Sequence, residues 1–166
     1  MKDMNEQNVP VLRFPGFERD WKTAKLKSQA TIKTGSRDTK NRVDGGAYPF
    51  FVRSDTIERI DTFAMDGEAV LTSGDGVGVG KNIHYINGRF DYHQRVYAVF
   101  NFADTLNGEF FFQYFREHFL KRVVRMSAKN SVDSVRMAMI ADMVVPVPSR
   151  NEQKRSPRFL GRWMRR

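Results

Sequence analysis

The clearest pattern along the chain is a series of phenylalanines at helical spacing. Phe111, Phe115 and Phe119 stand at positions i, i+4 and i+8. Side chains at this spacing share one face of an α-helix, because the helix has about 3.6 residues per turn. The pattern predicts an amphipathic helix from residue 105 or 107 to residue 123, with its phenylalanines in the core.

Short apolar and aromatic runs between turn residues predict the strands of a sheet. These runs are Tyr48 to Val52, Glu68 to Thr72, a stretch around Ile83 and Tyr85, Arg89 to Val99, and Met143 to Pro148. Asn87-Gly88 stands between two of the runs and is typical of a two-residue hairpin turn. Leu26 to Ile32 fits either a short helix or a strand, and Ser134 to Met139 fits one short helix. Because strands and helices are mixed without a βαβ rhythm, the fold class is predicted to be α+β.

Composition narrows the classes of function. The chain has 166 residues, 14 of them Phe, which fits one domain with its own core. It has no cysteine, so disulfides, thiol catalysis and cysteine-based zinc sites are excluded. No run approaches the roughly 18 apolar residues of a membrane helix, and the polar start lacks the apolar part of a secretory signal. We therefore expect a cytoplasmic protein.

The net charge of +9 is unevenly distributed. Residues 151–166 hold six cations and one acid, so this stretch carries +5 and the other 150 residues carry +4. A basic chain indicates a polyanionic partner, although +4 on the body does not establish one by itself. We expect a flexible lead-in over 1–9, one domain over 10–150 and a basic tail over 151–166.

The run from Gly74 to Asn82, called the glycine loop below, is the obvious candidate for phosphate binding. It does not match a P-loop, because the first required glycine falls at Asp75 and Asn82 replaces the hydroxyl residue. The dinucleotide fingerprint lacks its third glycine. The residues that follow, from Ile83, look like a strand, whereas both motifs need a helix N-terminus there. Two interpretations remain: a flexible turn between strands, or a loop close to a nucleic-acid backbone with Lys81 on a phosphate.

No set of residues indicates catalysis. Glu152-Gln153-Lys154 has the Glu-x-Lys form of metal-dependent nucleases, but it stands in a basic tail with no core strand to hold it. His84, His93 and His118 share no metal-ligand spacing. His93, beside Gln94, is expected to face solvent or a base edge. We therefore predict no enzyme activity of the chain itself, no metal and no cofactor.

Three blocks of sequence, spread over residues 10 to about 155, form a recognisable pattern. The opening block is Pro10-x-Leu12-Arg13-Phe14-Pro15-x-Phe17, followed by Trp21 and Leu26. The middle block holds Tyr48-Pro49-Phe50, Gly67-Glu68-x-Val70-Leu71, the glycine loop and Gln94-Arg95-Val96. The closing block holds Ser134-x-Arg136, Val145-Pro146-x-Pro148 and Glu152-Gln153-Lys154. Together they resemble the target recognition domain in the specificity subunit of type I restriction–modification enzymes.

The resemblance implies a sequence-specific module for double-stranded DNA that performs no chemistry. Such a subunit directs the methyltransferase (modification) subunits and the restriction subunit to the target site. A complete specificity subunit has two recognition domains, one for each half of a split site, and long helices that dock the methyltransferase. The implied fold is α+β, with a twisted mixed or antiparallel sheet and helices packed against it. No membrane partner is implied.

The chain departs from that family in two ways. It holds one recognition domain, and Ser156-Pro157 with Gly161 interrupt the region where the long helix would continue. We therefore expect a truncated or half-length subunit whose tail is a stub of that helix, with a second copy of itself as a further candidate partner. Three alternatives stay open: a defective decoy that occupies methyltransferase, the recognition part of a fused restriction–methylation enzyme, and an RNA-binding protein.

Side chains with paired donors or acceptors on loops are the candidates for DNA contact, because Arg and Lys read guanine while Asn and Gln read adenine. The predicted contact residues are Arg37, Lys40, Lys81, Asn82, Arg89, Gln94, Arg95, Lys129, Asn130 and Ser131. The same loops also offer Lys33, Ser36, Asn41, Arg42 and Arg125. Lys81, Lys129 and Asn130 are foremost in the set, and a solvated surface side chain is the alternative for each.

Overall fold

The computed structural model of the protein describes residues 14–127 and 134–155. Its strands are β1 (Lys22–Lys25), β2 (Thr31–Thr34), β3 (Tyr48–Phe51), β4 (Ile57–Ile60), β5 (Met65–Ser73), β6 (Ile83–Tyr92), β7 (Val96–Phe100) and β8 (Val144–Val147). Its α-helices are α1 (Gly108–Met126) and α2 (Met137–Ala141), and residues 150–155 are helical as well. Short 3₁₀ turns cover Leu26–Ser28 and Thr39–Asn41.

Six of these strands form one twisted, mixed sheet in the order β2-β7-β5-β6-β3-β4. The β3–β6 pair is parallel, and the other neighbours are antiparallel. β1 and β8, from opposite ends of the domain, form a separate antiparallel pair. The α+β prediction, with a mixed sheet and packed helices, is confirmed.

The phenylalanine stripe lies in the core, as its spacing predicts. Phe111, Phe115 and Phe119 are fully buried on α1, and the last two rings stack with centroids 4.2 Å apart. The helix begins after Asn107, whose side chain accepts a hydrogen bond from the backbone N–H of Phe110 at 2.9 Å. This cap satisfies an N–H that the first helical turn leaves unpaired, so it fixes where the helix starts.

The hairpin turn predicted at Asn87-Gly88 is wrong. Both residues lie inside β6, where Asn87 pairs with Glu68 and Gly88 pairs with Gly67 across from it in β5. Gly67 and Gly88 have φ angles of 145° and 152°, a backbone conformation that favours glycine. These angles favour glycine at both positions of the pair, and the pairing with β5 overrides the local turn signal.

The sheet is strongly curled, and the link between β6 and β7 shows it. Both strands pair with β5, on opposite sides, with Phe90 across from Met65 and Val96 across from Ser73. Eight steps along a straight β5 span about 26 Å, whereas six steps from Phe90 to Val96 reach about 20 Å at most. A flat sheet could not be linked in this way, so the two ends of β5 are drawn together.

Residues 93–95 link β6 to β7 and form hydrogen bonds with two other parts of the chain. The N–H of His93 donates to the carbonyl of Phe51 at the end of β3, at 2.9 Å. The N–H of Gln94 donates to the carbonyl of Arg37, in the loop after β2, at 2.8 Å. Residues from β3, from the loop after β2 and from the link therefore meet at one place on the surface.

The remaining elements follow the sequence with small shifts. The segment Leu26 to Ile32 contains both a 3₁₀ turn and the start of β2, so neither alternative alone was right. The short helix predicted at Ser134 to Met139 is α2, displaced toward the C-terminus. Trp21 packs edge-on against Phe110 with ring centroids 6.2 Å apart, which ties the opening segment to α1.

Candidate nucleic-acid interface

Two arginines share one carboxylate at the end of β5, and we call Arg53, Asp75 and Arg95 the Asp75 cluster. Nη1 of Arg53 lies 2.8 Å from Oδ1 of Asp75, and Nη1 of Arg95 lies 2.9 Å from Oδ2. The side chain of Asp75 is 19% exposed, whereas those of Arg53 and Arg95 are 42% and 63% exposed. The acid is thus enclosed, and both guanidinium groups face outward.

The electrostatics of the cluster keep Asp75 ionised. Partial burial by itself would raise the pKa of Asp75, but the hydrogen bonds and charges of Arg53 and Arg95 outweigh it and hold that pKa below its ordinary value. The cluster therefore carries one net positive charge at neutral pH, and its carboxylate remains an acceptor for both arginines.

His93 supports the backbone beneath the cluster. It is buried, and its Nδ1 accepts a hydrogen bond from the N–H of Arg95 at 2.9 Å. Burial lowers the pKa of His93, and the charge of Arg53 adds to that effect. The expectation that His93 faces solvent or a base edge is therefore wrong: its neutral ring is an internal acceptor.

An open groove of about 570 Å³ borders the cluster. Its lining residues are Thr34, Gly74, Asp75, Gln94, Arg95, Tyr97, Ser134 and Val135. The exposed side chains of Gln94 and Arg95, in the 93–95 link, thus border it, together with Gly74 and Asp75, which follow β5. Ser134 is the first described residue after 128–133. The predicted contact residues Lys129, Asn130 and Ser131 fall in that segment, outside the described residues.

The two sides of the groove are tied together by backbone contacts at Gly74. Its N–H donates to the carbonyl of Arg95 at 2.7 Å, and its carbonyl accepts from Val135 at 2.7 Å. A Cβ atom at position 74 would lie 2.7 Å from the Arg95 oxygen, closer than real Cβ contacts come. Glycine is required here because the backbones approach so closely.

The glycine loop is internally bonded rather than a loose turn. The N–H groups of Lys81 and Asn82 both donate to the carbonyl of Gly78 at 2.9 Å. Asn82 is 8% exposed, and its amide donates to Ser73 at 3.4 Å, so the expectation of an amide presented to a ligand is wrong for this residue. Lys81 is exposed, and it takes part in none of the ion pairs formed among residues 14–127 and 134–155.

Arg37 is placed by a buried acid. Its Nε lies 3.2 Å from Oδ2 of Asp91, which is fully buried and also accepts from Thr62 at 2.7 Å. The side chain of Arg37 is 40% exposed, so part of it still faces solvent. Lys40, in the 3₁₀ turn after Asp38, is exposed on the same loop.

Arg89 makes an ion pair of its own. It sits across from Asp66, at the Met65 end of β5, and its Nε is 2.9 Å from Oδ2 of that acid. Its guanidinium also stacks over the ring of Phe63 at 4.9 Å. Its ion pair is separate from those of the Asp75 cluster, which follows the Ser73 end of β5.

The Glu-x-Lys sequence has a structural explanation. Gln153 is fully buried, accepts from the N–H of Asn107 at 2.7 Å and donates to the carbonyls of Thr105 and Pro148 at 2.8 and 2.7 Å. Glu152 is 2% exposed. In the part of the chain that the structure describes, no three acidic or histidine side chains are grouped to hold a metal ion.

Sequence reasoning missed Arg53 and Asp75 as functional candidates. They are 22 residues apart, and no local motif links them. Their proximity depends on the ends of β3 and β5 meeting beside the 93–95 link.

Neither described α-helix combines the length and the apolar character needed to cross a bilayer.

Comparison with known proteins places the chain. The family model "Type I restriction modification DNA specificity domain" matches residues 18–165. The chain is 29% identical, over 134 residues, to the Type I restriction enzyme EcoDI specificity subunit of Escherichia coli, covering 81% of this chain and 29% of that protein.

Two solved structures share the fold. The S subunit of a type I restriction–modification system from M. genitalium superimposes with a TM-score of 0.72 at 16% identity, over 93% of this chain and 41% of that one. The HsdS subunit from Thermoanaerobacter tengcongensis gives 0.63 at 18% identity, over 95% and 40%. This chain spans less than half of each of these relatives, and since the family model matches most of its length, it belongs to the type I restriction–modification DNA specificity family.

Proposed function

We propose that this chain is a sequence-specific module for double-stranded DNA. It directs type I methyltransferase and restriction subunits to their target and catalyses no reaction itself. It needs no cofactor, and it works in the cytoplasm, where the DNA is. The observation that carries the proposal is the exposed Arg95, with Gln94 beside it, at the rim of an open groove in a chain of the specificity family.

The chemistry at the rim suits base edges. An arginine can donate two parallel hydrogen bonds to O6 and N7 of guanine, and a glutamine can pair with N6 and N7 of adenine. Gln94 and Arg95 are consecutive, exposed and fixed through their backbones to Arg37 and His93. A fixed backbone lets such side chains discriminate, because a misplaced base leaves a donor unpaired.

The predicted contact residues divide by their surroundings. Gln94 and Arg95 are proposed to read bases, while Lys40, Lys81 and the solvent-facing part of Arg37 contact phosphates, which supply affinity but no sequence preference. Lys129, Asn130 and Ser131 precede Ser134 at the groove and are proposed to join this group. Arg89, at the other end of β5, is proposed to contact phosphate only. Asn82 is left out because it is buried.

The methyltransferase and restriction subunits are proposed as partners because the chain belongs to the specificity family. One similar structure, with a TM-score of 0.65 at 18% identity, comes from work on complex assembly and conformational transition of the type I system. The superposition covers 94% of this chain and 40% of that one. We propose that the recognition domain described here reads one part of a site, and that the methyltransferase subunit binds the same chain.

The test is selection from a randomised duplex pool. The purified full chain is mixed with the pool at low salt, alone and with its cognate type I methyltransferase subunit, and retained duplexes are sequenced. Enrichment of a short motif is expected, and Arg95→Ala should lose part of that motif. Lys27→Ala is the matched control, because Lys27 is a cation paired with Asp142 at 2.8 Å, away from the groove residues.

The other outcomes have definite meanings. Salt-sensitive retention without any enriched motif would overturn sequence recognition and leave a basic surface. If that chain still bound the methyltransferase subunit, the decoy interpretation would replace ours. Competition by structured RNA as strong as by duplex DNA would favour the RNA-binding alternative.

A further inference from the structure

We propose that Asp75 is a positioning residue that aligns Arg53 and Arg95 to read guanine in the major groove. The inference rests on the proposed DNA-binding function and deepens it. It assigns a specificity role to two residues, Arg53 and Asp75, that lie outside the sequence-based contact set.

The geometry leaves both arginines free to bind a base. Each uses Nη1 on Asp75, at 2.8 Å for Arg53 and 2.9 Å for Arg95. An arginine has five N–H donors, so Nε and Nη2 keep their hydrogens for a ligand. Within residues 14–127 and 134–155, neither guanidinium donates a further hydrogen bond. A bidentate contact to O6 and N7 of guanine needs two such donors.

The carboxylate cannot be explained by attraction to DNA. Without Asp75 the pair of arginines would carry two positive charges, and with it the cluster carries one. An acid at this place therefore weakens sequence-independent binding to phosphates. What it provides is order: a long side chain held in one direction loses less conformational freedom when a ligand binds.

The backbone that carries Asp75 and Arg95 is held by several hydrogen bonds. Asp75 forms a β-bridge with Ser134, and the neighbouring Gly74 donates its N–H to the carbonyl of Arg95 at 2.7 Å. The N–H of Arg95 is held in turn by Nδ1 of His93 at 2.9 Å. The two arginine side chains extend from this assembly and are 42% and 63% exposed.

The decisive variant is Asp75→Asn. Its affinity is measured for the selected duplex and for a scrambled duplex, and compared with that of wild type. The methyltransferase subunit is added if the selection required it. Discrimination between the two duplexes should fall about 10-fold, the order expected for one misaligned bidentate contact. Affinity for the scrambled duplex at low salt should stay the same or rise, because a negative charge is lost. These opposite movements would not arise from a merely structural defect, which weakens both complexes together.

Asp142→Asn is the matched control. Asp142 is also held by two cations, Lys27 at 2.8 Å and Lys25 at 3.4 Å, and its loss changes the net charge by the same amount. It caps the end of α2, and it is not among the residues that line the groove. This variant should keep the discrimination of the unmodified chain.

A second measurement needs only the folded wild-type chain and one modified base. Duplexes with 7-deazaguanine keep Watson–Crick pairing but lack the N7 acceptor. The wild-type chain should lose affinity for the selected duplex when its guanines carry this change. Arg95→Ala, which keeps only the contact made by Arg53, should lose less affinity than wild type on the same change. If the wild-type chain is indifferent to the change, or if Asp75→Asn discriminates as well as wild type, the inference is overturned while DNA recognition stands. If wild type selects no motif at all, the proposed function fails first.

Discussion

A single ring nitrogen of His93 holds the backbone at Arg95. Because Nδ1 accepts the N–H of Arg95, the ring must be neutral, with its proton on Nε2. The charged groups that act on the ring are Arg53, Arg95, Asp38 and Asp75, and the pKa of His93 is lowered mainly because the ring is buried. Protonation would replace the acceptor by a second donor facing an N–H.

We predict that stability falls as the pH drops below about 6.5, the ordinary pKa of histidine. In that range the unfolded chain takes up a proton that the folded chain, with its lower pKa at His93, refuses, so the free energy of unfolding decreases by up to about 1.4 kcal/mol per pH unit. His93→Asn keeps an acceptor in its Oδ1 but does not titrate. Urea denaturation from pH 7.5 to 5.5 should give wild type the steeper loss, and parallel losses in the two proteins would refute the assignment.

Residue-scale prediction worked where chemistry is local and failed where it depends on the fold. Gln94 and Arg95 are exposed, as their polar character suggests. Asn82 has the same polar character, but the glycine loop turns its amide inward to Ser73. Arg53 has no sequence signal at all, because its partner Asp75 becomes its neighbour only when the sheet curls.

At the scale of elements, Gln153 joins the helix that starts at residue 150 to the beginning of α1. One side chain accepts the N–H of Asn107 and donates to the carbonyls of Thr105 and Pro148. All three partners are backbone groups at places where regular structure begins or ends, so they have no partner in a helix or strand ladder. The amide of Gln153 has both the acceptor and the two donors that this junction needs.

We predict that Gln153→Ala lowers the free energy of unfolding by about 3 kcal/mol, because three backbone hydrogen bonds made by one fully buried side chain are lost. Gln153→Glu should be at least as damaging, since a carboxylate cannot donate to the two carbonyls. Lys154→Ala, an exposed neighbour, is the control and should change stability little. Thermal or urea denaturation of the three variants makes the comparison, and a wild-type-like Gln153→Ala would contradict the junction.

Elements set by short-range pattern were predictable, and those set by long-range pairing were not. The α1 helix follows from phenylalanine spacing and an asparagine cap, both contained within a few turns. Asn87-Gly88 is a hairpin signal of equal local strength, but eight residues of β5 pair with β6, and that pairing extends β6 through the dipeptide. The Glu-x-Lys sequence was likewise uninformative, because the role of Gln153 depends on α1 lying beside it.

At the scale of the whole molecule, attraction to DNA and discrimination among sequences rest on different parts of the chain. The net charge is +9, of which residues 151–166 carry +5. The Asp75 cluster contributes one net charge, fixed in place beside the groove. Sequence-independent affinity should therefore depend on exposed lysines and arginines over the whole surface, whereas discrimination should depend on the few residues at the 93–95 link.

Lys81 provides the test of that separation. It is exposed on the glycine loop, and its own N–H and that of Asn82 are bonded to the Gly78 carbonyl, so a phosphate contact there would be made without reordering this part of the loop. We predict that Lys81→Ala weakens binding to selected and scrambled duplexes equally. The negative slope of log K against log salt should become shallower by about one unit, because one counterion fewer is released. Lys27→Ala removes the same charge at a place paired with Asp142, so its slope should match wild type. Equal slopes for Lys81→Ala and wild type would show that Lys81 lies outside the interface. A loss of affinity confined to the selected duplex would instead make Lys81 a base contact, because a phosphate contact cannot distinguish the two duplexes.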